Sequence, residues 1–220
     1  MAYRRSAPIS ALSRREFIKL SGTGITVVFL LGAMGSGGAL AQAGSPLQGE
    51  FDAAAGEFGV PVDLLLAMGY VNTRWEMPPP EANEYEKGDL HGWGAYGIMQ
   101  LVQNPYSDTL GEASRLTGIP EEELKTDRAA NIRGGAALLA ASQGNKPERL
   151  GEWFGAVNGE GGAGRTYDTV AGVGGGALFA EQVTNALNKG VSGQTRRGER
   201  VVLKARSPEA RVSPEGKVVS

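Results

Sequence analysis

The chain has 220 residues, with 22 Lys and Arg, 24 Asp and Glu, one His and no Cys. That length fits one domain with appendages, and an apolar share of 41% suffices for a core. Without Cys there is no disulfide scaffold, thiol nucleophile or thiolate metal site; with one His, His91, there is no multi-His zinc site, and no cofactor or metal is expected.

Residues 1–43 read as an address label and not as fold. Arg4, Arg5, Arg14 and Arg15 precede an apolar run from Ile25 to Met34, and Ala39-Leu40-Ala41 and Ala41-Gln42-Ala43 are small-x-small cleavage sites. This is the order of a secretory signal. Ser13-Arg14-Arg15-Glu16-Phe17-Ile18-Lys19 resembles the twin-arginine type, which implies the twin-arginine export machinery as a partner. The apolar run is shorter than the ~20 residues that span a bilayer, so no stable membrane span is expected after processing. The leader takes five basic residues and one acid, leaving 17 basic against 23 acidic residues. That acidic balance argues against nucleic-acid binding.

The rest reads as helices in chain order. Phe51, Ala54, Ala55 and Phe58 recur at helical spacing, with Gly59 as the stop. A second helix starts at Val60-Pro61-Val62-Asp63, with Asp63 as cap, and runs to Trp75 or Glu76 before Pro78-Pro79-Pro80. Its near-continuous apolar content marks it as buried. A polar loop carrying Glu81, Glu84, Glu86 and Asp89 leads to Trp93. Further helices are expected from Thr109 to Leu116, from Pro120, from Asp127 or Arg128 to Ala141, around Trp153-Val157, and from Phe179 to Leu187. No alternating strand is expected before residue 199, and Val201-Val202-Leu203 is the one candidate. Residues 191–220, with seven basic and three acidic residues, read as a flexible tail or linker.

Three segments in order carry a family resemblance. Phe58-Gly59-Val60-Pro61-Val62-Asp63-Leu64-Leu65-Leu66-Ala67 resembles the first helix of lysozyme-like lytic transglycosylases. Gly94-Ala95-Tyr96-Gly97-Ile98-Met99-Gln100-Leu101 resembles their Gly-Ala-x-Gly-Leu-Met-Gln-Leu motif, and Asp127 to Ala136 resembles their Asp-x-x-x-Asn-Ile-x-x-Gly helix. The likeness covers about residues 50–145. It implies an all-α, two-lobed lysozyme-like domain over residues 44–190, with a cleft for the MurNAc-GlcNAc glycan strands of peptidoglycan. It also implies a place outside the cell, in the wall or periplasm.

One departure bears directly on chemistry. The family's general acid, a Glu, falls at Asn72 here. An amide has no proton to give a leaving glycosidic oxygen, and the cleavage needs such a carboxyl. Glu76, four residues on, would share the helix face of Asn72 and is the best replacement acid, with Trp75 beside it to desolvate it. Glu81, Glu84 and Glu86 in the loop are further sources of an acid. The alternative is a domain that binds glycan without cutting it, of the kind that targets a cell-wall amidase. In either case Tyr96, Gln100, Trp93, Met99 and Asn131 are the expected substrate-side residues, with Asn131 also suited to bridging or capping the start of its helix.

Overall fold

The structure, a computed structural model, describes residues 45–88, 93–157 and 175–219, all within one compact unit. The leader and His91 lie outside the described residues.

The apolar periodicity of the sequence becomes a helical core. α1 (Pro46–Phe58) starts at Ser45, whose hydroxyl accepts from Gln48 N–H, and stops at Gly59 in the left-handed region (φ 66°). α2 (Val62–Thr73) is buried from Asp63 to Gly69. α3 (Thr109–Thr117) and α4 (Glu121–Thr126) lead into α5 (Arg128–Gln143), which Asp127 caps by accepting from Ala130 N–H. A short α6 (Phe154–Val157) and α7 (Gly175–Lys189) complete the helices. α5 packs on α1, α3 and α4, while α2 packs on α7. Phe51, Leu64, Leu65, Ile98, Leu139 and Trp153 are at most 1% exposed, and full burial of such a side chain contributes roughly 1.5–3 kcal/mol.

Several expectations need correction. The fold is dominated by helices but not all-α: β1 (Ala95–Tyr96), β2 (Leu101–Asn104) and β3 (Ser107–Asp108) form a small antiparallel sheet. Two-residue strands give too little alternation to read, and their pairing is set by the turn between them. Asp63 is not a cap, because Pro61 holds that position; the Asp63 carboxylate pairs instead with Arg206, Nε to Oδ2 3.2 Å.

The largest correction concerns residues 191–219, which are folded. β4 (Val191–Gln194) pairs with β5 (Arg200–Leu203) in register Val191↔Leu203 and Gln194↔Arg200. β6 (Arg211–Val212) pairs with β7 (Val218–Val219). Strand alternation sends Val201 and Leu203 into the helical core, at 0% and 2% exposure, and Val212 and Val218 follow. Arg128 on α5 grips Glu50 on α1 and Glu199 before β5, and Glu199 Oε1 also accepts from Leu47 N–H at 3.1 Å. The basic composition hid apolar residues that are few but regularly placed.

Candidate functional site

Two features of the motifs place the candidate site. The first is the end of α2. The helix stops at Thr73, and Arg74 (φ 57°) and Trp75 (φ 63°) both turn into the left-handed region. L-residues enter that region at a cost, and for a bulky residue it is an outlier. The reversal is held from inside. Trp75 is 2% exposed, its indole Nε1 donates to Leu66 O at 2.8 Å, and its ring meets that of Tyr70 at a centroid distance of 4.9 Å. Arg74 reinforces the turn by donating to Tyr70 O at 2.8 Å while lying over the Tyr70 ring.

Glu76 is therefore off the helix. It does not share a helix face with Asn72, and Trp75 is buried in the core. Glu76 Oε1 instead accepts from the backbone N–H of Arg196 at 2.8 Å, at the turn between β4 and β5. As a replacement acid set one turn beyond Asn72, it is corrected by this geometry.

The second feature is the turn joining β1 to β2, Gly97 to Gln100. Asn131, fully buried on α5, shapes it. Its Oδ1 accepts from Met99 N–H at 2.8 Å, and its Nδ2 donates to Tyr96 O at 3.0 Å and Leu124 O at 2.9 Å. Gly97 sits at φ 71° directly over this amide, and a Cβ there would stand 2.2 Å from Asn131 Nδ2. Gly135 on α5 makes room for Met99 in the same way. Asn131 is thus an interior support, and Met99 (5% exposed) is buried beneath the turn as Tyr96 is. Gln100 caps the turn in the left-handed region (φ 53°), its Nε2 donating to Gly97 O at 2.8 Å.

The two features meet through the core. A Cβ on Gly69 would stand 3.0 Å from Ile98 and 3.3 Å from Trp75, so α2, the turn and the indole are in close packing there. Asn72 follows Gly69 by three residues, on the same side of the helix. Both polar atoms of its amide are enclosed and have no hydrogen-bond partner. An orphaned buried polar group costs about 1–3 kcal/mol and calls for an explanation. Among the described residues, the only non-glycine residues at positive φ are Arg74, Trp75 and Gln100, and all three flank this region. Backbone strain of this kind concentrates at functional sites.

Tyr96 and Trp93 form the adjoining edge. Tyr96 is 6% exposed, with Lys125 Nζ 4.7 Å from its ring centroid. Burial raises its phenol pKa, and the nearby charges of Glu84 and Glu122 raise it further. The polar loop is fastened by Gly94 N–H, which donates to Asn83 O at 2.8 Å. Trp93 is half-buried, and its carbonyl accepts from Asn104 Nδ2 at 3.0 Å. The left-handed reversal at residues 74–75 and the reach of the β4–β5 hairpin to Glu76 have no local signature in the sequence. Neither comparison with protein-family models nor comparison with curated proteins gives a match for this chain.

Proposed function

We propose that the protein is exported to the bacterial wall and engages the MurNAc-GlcNAc strands of peptidoglycan through the surface around Asn72, Tyr96 and Gln100, binding without cleavage. The observation that carries this reading is the orphaned amide of Asn72. It stands where the resembling family has its acid and has no proton to transfer, and enclosed as it is it leaves contact with glycan to the residues around it. The diversion of Glu76 to Arg196 supports it, because that carboxylate is engaged with the hairpin. Export rests on the leader, and the acidic balance of residues 44–220 keeps nucleic acid outside the proposal. No helix among the described residues is long and apolar enough to cross a membrane.

A cleaving enzyme is the second reading, favoured by one observation: among the loop acids, the charge of Glu84 is felt by Tyr96, whose pKa it helps to raise. The test is to incubate the purified protein with sacculi, pellet the wall and read soluble muropeptides by mass spectrometry, with Asn72→Glu, Glu84→Gln and Gln100→Ala in parallel. Binding alone predicts co-pelleting without release, weakened at least several-fold by Gln100→Ala, with release confined to Asn72→Glu. Release by the unaltered protein that disappears in Glu84→Gln would establish the enzyme. Failure to pellet would end both glycan readings.

A further inference from the structure

The folded C-terminal hairpins create a second site, whose lining includes none of Asn72, Tyr96 and Gln100. A cavity of about 1000 Å³ lies between the helices α1 and α2 and the strands, at the upper end of the range for small-ligand sites. Its walls differ in charge. The helices contribute two carboxylates, Asp52 on α1 and Asp63 on α2. The strand side contributes four cations, Arg200, Lys204, Arg206 and Lys217.

The pleat explains the basic wall. Arg200 and Val202 alternate on β5 with the buried Val201 and Leu203 and so face the cavity, and Lys204 and Arg206 continue its lining just past the strand. Val202 is 41% exposed there, and Val62 and Leu66 give an apolar lining on the helix side. Within the cavity, Asp63 and Arg206 satisfy each other at 3.2 Å. Arg200, Lys204 and Lys217 enter none of the ion pairs found among the described residues, and neither does Asp52. Asp52 is exposed as a residue, yet lost hydration raises the pKa of its carboxyl against the pull of Lys217.

We propose that this cavity binds a short peptide with free termini, its amino group directed to Asp52 and its carboxylate to Arg200 and Lys204. A purely anionic ligand would meet Asp52 at unfavourable range, and a purely cationic one would meet an excess of like charge. A zwitterion suits both walls, and short aliphatic side chains suit Val62, Leu66 and Val202. The site is independent of the glycan reading, since neither its residues nor its ligand depends on Asn72.

The probe is the tetrapeptide Ala-Ala-Val-Ala, titrated calorimetrically into the purified protein at low salt, beside its N-acetylated and C-amidated forms. The free peptide should bind saturably with a Kd below about 1 mM, and either blocked form should bind at least tenfold more weakly. Asp52→Asn should reproduce the effect of acetylation and leave the already acetylated peptide unchanged. Lys204→Ala should do the same for amidation. Thermal melts of both variants close to that of the parent would exclude misfolding as the cause, and Asp52→Glu should restore part of the binding. Absence of saturable binding, indifference to the blocked termini, or tighter binding of inorganic polyphosphate that Asp52→Asn enhances would overturn the proposal.

Discussion

At the residue scale, Asn131 shows how one side chain can hold a loop in shape. Three backbone groups from two different segments, at Met99, Tyr96 and Leu124, depend on its amide. All are buried, so no water stands ready to replace it. Asn131→Ala should cost roughly 3–5 kcal/mol, because several buried polar groups lose their partners together. Urea denaturation would measure that cost, and a loss below about 1 kcal/mol would show that the turn finds other partners. Asn72 has the same chemistry and the opposite circumstance. Its amide is enclosed with nothing to bond, so its expense is spent on something other than stability. The names of these two residues are equally visible in the sequence, but only packing distinguishes a support from an orphan.

At the scale of elements, the C-terminal hairpins decide whether the helices form a closed core. Val201 and Leu203 insert beside α1 and α2, and their burial alone contributes about 3–6 kcal/mol. A chain ended at Lys189 would also lose the partners of Leu47, Arg128 and Asp63. We expect it to melt at least about 10 °C lower than the full chain, or to be insoluble. An unchanged melting temperature would mean that the hairpins are ornamental. The alternation Arg200-Val201-Val202-Leu203 and the turn at Gly216 between Val212 and Val218 were available as strand signals. They were outweighed by the charge of the segment, because composition averages over residues whereas a strand sorts them to two faces.

At the scale of the whole molecule, one charged cluster joins the beginning, middle and end of the described chain. Arg128 lies between Glu50 and Glu199, with side-chain exposures of 15%, 25% and 15%. The guanidinium and its hydrogen bonds hold the Glu199 carboxyl below its ordinary value of 4.5. A lowered carboxylate pKa means that the unfolded chain binds the proton more readily. The stabilisation is therefore complete above pH 4.5 and is lost as pH falls through the lower folded value. Glu199→Gln should accordingly lower stability at pH 7 by roughly 1–2 kcal/mol, and by much less near pH 3. Melting curves of both proteins across that range would test it, and a gap that persists undiminished at pH 3 would assign the loss to packing. Asp63 runs the other way. Burial raises its pKa above 3.8 in spite of Arg206, so its ionised form becomes a cost as pH rises.

Read alone, the sequence determined the order and approximate places of the helices from α1 to α7, though it ran α2 past its observed end at Thr73, because apolar spacing, Pro and Gly act over a few residues. It also determined that position 72 carries an amide and not a carboxyl, since that is a matter of residue identity. Tertiary structure alone decided that Glu76 leaves the helix for Arg196, that Met99 and Asn131 are interior, and that the last 30 residues close the core and form a cavity with α1 and α2. Each of these depends on groups more than 30 positions apart, whose meeting is set by burial of the whole chain and by no local preference.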